Sequence, residues 1–188
     1  MGFSADRTQL LVTTKANTNA VDVFALDHTG APAAAPVVNT LPPGAVPFSF
    51  VKHGDHQIFL TEAGPNAVAT FTVHHDGTLA QTASAATGQS ATCWVTSIGD
   101  LVYASNAGSS NLSGFQTDPR GDLAPLSTTP TDPGTVDTAA SADGRYLYAQ
   151  TGGNGILDEF RVEGDGSLTP IGSQTVPDAV GGEGIVAF

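Results

Sequence analysis

Glu62, in "TEAGPN", and Lys15, in "TTKAN", are a carboxyl and an amine whose types suit acid–base chemistry at a carbonyl carbon. A carboxyl partly buried at the mouth of a channel has its pKa raised and can serve as general base or acid. An ammonium group near it can stabilise the oxyanion that forms when water adds to a carbonyl. On an open rim the same two residues are an ordinary ion pair or a capped loop. Asn106 in "SNAGSS", Thr151 in "QTGGNG", Phe48, Trp94 and Asp137 belong to the same group of segments and are candidate substrate-binding residues. Asp137 stands where "VPFSF" has Pro47, so it either hydrogen-bonds nearby backbone or touches substrate.

Other reactive side chains carry less. Cys93 has no histidine expected near it, and a thiol nucleophile needs a base, so a small buried residue beside Trp94 is the simpler reading. The five histidines, His28, His53, His56, His74 and His75, all fall in or beside turns. Adjacent histidines such as those of "HHDG" point to opposite faces of a strand and make a poor chelate. With a single cysteine there is no intrachain disulfide and no cysteine-based zinc site. "GGNG" does not continue into a phosphate-binding glycine loop and helix, and no "GxSxG" elbow occurs. No cofactor or metal is expected.

Positioning such residues requires a scaffold, and composition narrows it. The chain has 188 residues, enough for one domain with a sizeable core. Its 22 Gly and 12 Pro favour short strands and tight turns over long helices. A formal net charge of -12 repels a phosphate backbone, so nucleic acid is an unsuitable partner. No apolar run approaches the roughly 20 residues that span a bilayer, and no signal peptide stands at the N-terminus, which leaves the compartment open.

The chain repeats itself. "AVDVFALDHTGA", "AVATFTVHHDGTL", "NLSGFQTDPRGDL" and "ILDEFRVEGDGSL" stack on Phe24, Phe71, Phe115 and Phe160, with Gly30, Gly77, Gly121 and Gly166 six residues later, where a hairpin needs positive φ. Upstream of each lies a second apolar segment ("QLLVTT", "QIFLTE", "DLVYAS", "YLYAQT"). Before that come a polar turn and a third stretch ("PFSFV", "TCWVT", "DTAAS" and, at the end, "GIVAF"). Four antiparallel strands in about 45 residues is a β-propeller blade. The expected fold is therefore all-β, a propeller with blades at about 1–46, 47–91, 92–135 and 136–183. Residues 184–188 would be a closing strand that joins the first blade. Three arrangements stay open: a closed four-bladed ring, two chains making eight blades, or half of a longer protein. In every one, the second-to-third-strand loops and the crossovers share one rim, which carries Lys15, Glu62, Asn106 and Thr151, while the histidines occupy the other.

The ordered strings "FSADRTQLLVTTKANTNAVDVF", "VPFSF", "TEAGPNAVATF", "ATCWV", "YASNAGSSNLSGF" and "SADGRYLYAQTGGNGILDEF" resemble the C-terminal half of bacterial lactonase-family propellers, similar to 6-phosphogluconolactonase and carboxymuconate-cyclising proteins. That resemblance implies about seven blades with an N-terminal half outside this chain. It also implies metal-independent opening or closing of a lactone at one mouth of the channel. In the carboxymuconate relatives histidine, arginine and glutamate carry that work, and the histidine and arginine have no counterpart on this rim. The expected partners are a small-molecule lactone and either a second copy, as a homodimer, or the missing half. The functional alternatives are a binding or scaffold propeller and an isolated half that only folds and assembles.

Overall fold

A computed structural model describes residues 1–188, the side chains of Ala16 and Asn17 excepted. The chain forms four antiparallel sheets of four strands each. The first blade holds β1 (Gly2–Phe3), β2 (Gln9–Thr13), β3 (Ala20–Ala25) and β4 (Val37–Thr40), with a single helical turn, α1 (Lys15–Thr18), between β2 and β3. The second holds β5 (Pro47–His53), β6 (Gln57–Glu62), β7 (Ala67–Val73) and β8 (Leu79–Ala86). The third holds β9 (Thr92–Ile98), β10 (Leu101–Asn106), β11 (Asn111–Thr117) and β12 (Leu123–Pro130). The fourth holds β13 (Thr135–Ala140), β14 (Tyr146–Thr151), β15 (Ile156–Val162) and β16 (Leu168–Thr175).

The repeat seen in the sequence is a repeat of register. Phe24, Phe71, Phe115 and Phe160 lie opposite Leu10, Ile58, Val102 and Leu147 in their respective blades. The four hairpin glycines all have φ between +81° and +86°, a region that costs any residue with a Cβ. Each hairpin is tied by a short acidic side chain: the carboxylates of Asp27, Asp76, Asp118 and Asp165 accept the backbone N–H two residues on, as Asx turns do.

Three apolar clusters hold the blades together, one at each junction. Leu11, Val21 and Val23 of the first blade meet Ile58, Leu60 and Phe71 of the second. Phe59 and Val68 meet Val102, Ala104 and Phe115. Tyr103 and Leu112 meet Leu147, Ala149 and Phe160. Side chains of one blade also donate to hairpin carbonyls of the next: Gln9 Nε2 to His74 at 2.9 Å, Gln57 Nε2 to Arg120 at 3.0 Å, and the Tyr103 hydroxyl to Gly166 at 2.9 Å. Burying a Phe or Leu contributes about 1.5–3 kcal/mol, so these junctions are the core.

One expectation is corrected. Residues 184–188 form no strand, and Val186 and Phe188 are 70% and 95% exposed. The innermost position of the first blade is filled by β1 alone, two residues facing Leu10 and Leu11. The single chain is thus an arc of four blades and does not close on itself: no apolar cluster spans the fourth and first blades among the described residues, so nothing draws the C-terminal segment across.

The turn between β13's partner strand β14 and the preceding residues generates a stability prediction. Hydrogen bonds from the Ser141 hydroxyl and from the Arg145 N–H and guanidinium hold Asp143 down at about 2. A depressed carboxyl stabilises the fold above its unfolded pKa of about 4 and loses that contribution as pH falls through its folded value. Asp143→Ala therefore lowers Tm by about 2 °C at neutral pH, a modest shift because the group is solvent-screened. In thermal melts the difference from the parent chain shrinks between about pH 4 and pH 2.

Candidate functional site

The two rims differ in what they do to acidic groups. On the turn rim, hydroxyls of Ser and Thr, together with the N–H groups of tight turns, donate to carboxylates and lower their pKa: Asp6, Asp27, Asp76, Asp143 and Asp165 shift down chiefly through a hydroxyl, and Asp118 chiefly through the Asp122 N–H. On the loop rim, crossovers cover the strand ends, and burial raises Glu62, Asp137 and Asp158. The histidines lie with the first set, His75 Nδ1 being 3.7 Å from Asp6. Among the described residues no three His, Cys, Asp or Glu side chains gather to hold a metal.

At the loop rim α1 sets Lys15. Asn19 ends the turn with φ +53°, its N–H donating to the Lys15 carbonyl at 2.9 Å. The Asn19 amide donates to the Leu41 and Pro42 carbonyls, and its oxygen accepts the Val46 N–H at 2.7 Å, which binds the loop to the crossover that delivers β5. Lys15 Nζ consequently sits 3.9 Å above the Phe48 ring centre, a cation–π contact. Phe48 meets Trp94 edge-on, with centroids 4.8 Å apart and planes at 64°.

Cys93 lies in the same neighbourhood. Burial pushes its thiol up, Lys15 pulls it part of the way back, and Glu183 adds to the rise. A thiol held in its protonated form is a poor nucleophile. Asp137 is raised by burial, lowered by N–H donors from Thr138 and Ile185, and raised again by Glu183. Lys15, Phe48, Cys93, Trp94, Asp137 and Glu183 form one patch; Glu183, in the glycine-rich "GGEG" crossover, went unnoticed in the sequence, where only its place before a strand-like segment marked it.

Glu62 stands on the other side of the same crossover. It pairs in register with Pro47, next to Phe48. Its side chain is 6% exposed, makes no hydrogen bond among the described residues, and opens on a cleft of about 410 Å³ bounded by Pro42, Gly44, Pro65 and Gln81. Lys15 and Glu62 form no ion pair among the described residues, and Lys15 does not line that cleft. The crossover is clamped over Glu62 by backbone: Ala63 N–H donates to Val46 and Gly64 N–H to Ala45, and a Cβ at Gly64 would lie 1.7 Å from the Gly44 carbonyl oxygen.

Asn106 and Thr151 occupy the strand-end position equivalent to Glu62, and both are fully buried. Asn106 accepts from Thr92 and donates to Asn111 and Ser113; Thr151 donates to the Ile156 carbonyl. Both thus spend their polar groups on internal hydrogen bonds. Beneath the overlying crossovers Asn106 and Thr151 are enclosed, whereas Glu62 borders a cleft and Thr13 of the first blade is only partly buried.

No family model and no curated protein matches the sequence. Solved structures do match. A Lactobacillus plantarum protein superimposes with a TM-score of 0.82 at 18% identity, covering 95% of this chain and 55% of its own. A candidate 6-phosphogluconolactonase from Bacteroides uniformis gives 0.79 at 22%, covering 90% and 55%. The periplasmic gluconolactonase of Pseudomonas aeruginosa gives 0.76 at 21%, covering 93% and 53%. The chain spans a little over half the length of these proteins, and its fold is that of a β-propeller.

Proposed function

We propose that the loop rim binds a lactone ring and hydrolyses it without a metal. The observation that carries this reading is the Lys15 ammonium held over Phe48 beside Trp94, at the rim of a lactonase-like propeller and one residue along from the register partner of Glu62. An apolar wall of two aromatic rings suits the ring carbons, and the ammonium suits the oxyanion formed as water adds to the carbonyl. Glu62 has the chemistry of the base: burial raises its carboxyl above the ordinary glutamate value, and no internal hydrogen bond occupies it. For both groups to act on one lactone the crossover of residues 41–46 must move aside from between them; Glu62 would then take the proton of the attacking water and return it to the ring oxygen as the C–O bond breaks, leaving a hydroxy acid.

A second reading, binding without turnover, is favoured by the sealed positions of Asn106 and Thr151 and by the location of the histidines on the opposite rim.

Steady-state hydrolysis of simple δ- and γ-lactones separates the two. The enzyme reading predicts turnover unaffected by a chelator, lowered about a hundredfold by Lys15→Met and at least as much by Glu62→Gln. Saturable binding with no turnover would establish the second reading, and full activity in Glu62→Gln would remove that residue from the mechanism. Thermal stability gives an independent check on the Glu62 environment. A carboxyl whose folded pKa is raised weakens the fold once pH exceeds its unfolded value, so the penalty is absent at low pH and complete above the folded pKa. Glu62→Gln is expected to raise Tm at pH 8 and to leave it nearly unchanged at pH 4.

A further inference from the structure

Each junction between blades leaves a crevice beside the crossover that departs from one blade and the outer strands of the next, and the three crevices differ in the polar groups they hold. Between the second and third blades the crevice is small, about 90 Å³, and its Ser113 hydroxyl accepts from the Asn106 amide at 2.9 Å. Between the third and fourth it measures about 200 Å³, and its Asp158 carboxyl accepts the Asp132 N–H at 2.8 Å. Between the first and second it measures about 410 Å³ and holds Glu62. There the pattern of internal satisfaction breaks. Among the described residues neither a hydrogen-bond donor nor a cation acts on the Glu62 carboxyl, although the side chain is only 6% exposed.

A carboxylate taken out of water without a counter-charge costs stability, and the chain does not supply one. None of its six basic residues lines the cleft. Lys15 is engaged over the Phe48 ring, and Arg120, Arg145 and Arg161 pair with acidic neighbours in or beside the hairpin turns. The cleft does supply room beside the carboxyl and an apolar wall, from Pro42, Pro43, Ala45 and Pro65. That wall is fixed by backbone bonds: Leu41 N–H donates to the Asn19 carbonyl at 3.0 Å, Ala45 N–H to Pro42 at 3.0 Å and Gly64 N–H to Ala45 at 3.1 Å. A cleft already in its binding shape loses little freedom when it is filled. An apolar pocket with one placed charged group is the usual form of a small-molecule site.

The chemistry of the occupant follows from charge complementarity. A calcium ion takes about six or more oxygen ligands, but Glu62 is the single carboxyl on the cleft, and no three metal-ligating side chains gather among the described residues. An anion would be repelled, and a neutral apolar molecule would leave the carboxylate buried and unpaired. An ammonium group on a short carbon chain matches both the carboxylate and the proline wall.

We infer that the Glu62 cleft is a binding site for a small aliphatic ammonium compound, whose charged head pairs with the carboxylate and whose carbon chain lies on the proline-lined wall. This site goes beyond lactone chemistry and stands whether or not a lactone is turned over. Where one is, the ammonium ligand occupies the base and favours the crossover in its place between Glu62 and Lys15, and so acts as an inhibitor. The crossover, the β6–β7 loop and β8 present no other titratable or charged group to the cleft. Pairing needs Glu62 ionised, so binding weakens as pH falls through the folded pKa of Glu62, which burial raises.

Isothermal titration with n-butylammonium chloride at pH 8 tests this, with n-butanol and sodium butyrate as controls. The expected result is saturable binding of the ammonium compound and of neither control, weakened at least tenfold at pH 4, in Glu62→Gln and in Gln81→Lys. Gln81 is exposed at the edge of the cleft, and a lysine there brings the protein's own ammonium to the carboxylate; far-UV circular dichroism verifies that each variant is folded. Three results would each overturn the inference: no saturable binding of butylammonium by the parent chain; binding that both substitutions leave unchanged, which would lie elsewhere; or butanol bound as tightly, which would make the cleft merely apolar. Inhibition of lactone turnover by butylammonium would support the site and the lactonase reading together. Turnover that continues at saturating butylammonium would keep the site and remove Glu62 from the hydrolysis.

Discussion

A four-stranded blade of a propeller is a sheet with two apolar faces, and it can cover neither face by itself. Everything else in this chain follows from that constraint. Phe71, Phe115 and Phe160 are buried because each lies on the blade before it. The hairpin glycines fit because a side chain there would enter the preceding blade. Tyr103, Gln57 and Thr70 keep their hydrogen-bonding groups because a hairpin carbonyl of the next blade is within reach. Stability is thus carried at junctions between units, in the nearest-neighbour manner of repeat proteins, and an arc of four blades has three junctions and two uncovered ends.

The same stacking decides what the loop rim can present. Crossovers must pass from the outer strand of one blade to the inner strand of the next, and they do so over the ends of the second strands. Backbone bonds from Ala63 and Gly64, from Ala107 and Gly108, and from Gly152 and Gly153 anchor the three crossovers in the same way. The strand-end side chains beneath them are enclosed as a result. In two blades that enclosed position is neutral and satisfied, as Asn106 and Thr151. In the second blade it is Glu62, a carboxyl, with no partner to offset the cost of burial. A polar group that costs stability at one copy of a repeat is a departure from the local rule, and such departures gather at functional positions.

This explains which features were legible from residues alone. Strand type, blade number and the positive-φ glycines were readable because each depends on local pattern: period-two apolar segments, a glycine six residues after a phenylalanine, an aspartate at a turn. The two rims were separable for the same reason, since alternate connections must lie at alternate ends of a sheet. The direction of a side chain at the last residue of a strand depends on the neighbouring blade and on a crossover laid over it, and neither is local. The burial of Asn106 and Thr151, and the crossover that runs between Lys15 and Glu62, are therefore not readable from local pattern. Glu183 escaped notice because its proximity to Cys93 and Asp137 comes from a contact far along the chain. The failure of residues 184–188 to close the first blade has the same origin: their pattern is that of a strand, but a strand needs an edge in reach.

The electrostatic contrast between the rims is also a product of this architecture. A hairpin sets a Thr or Ser hydroxyl, and its own N–H groups, within reach of an aspartate, so turn-rim carboxylates gain hydrogen bonds in their charged form and their pKa falls. A crossover covers its neighbours with apolar residues such as Pro42, Pro43 and Ala45, so loop-rim carboxyls lose water and their pKa rises. Groups shifted upward can exchange protons nearer neutral pH, and the rim that holds them is also where Lys15, Phe48 and Trp94 meet. The chain has a net charge of -12, and it nonetheless brings its upward-shifted carboxyls and its aromatic-supported lysine to one end of the molecule. Acid–base chemistry requires that kind of separation between groups held ionised and groups free to change state, and here it comes from the rule that turns and crossovers occupy opposite ends of every blade.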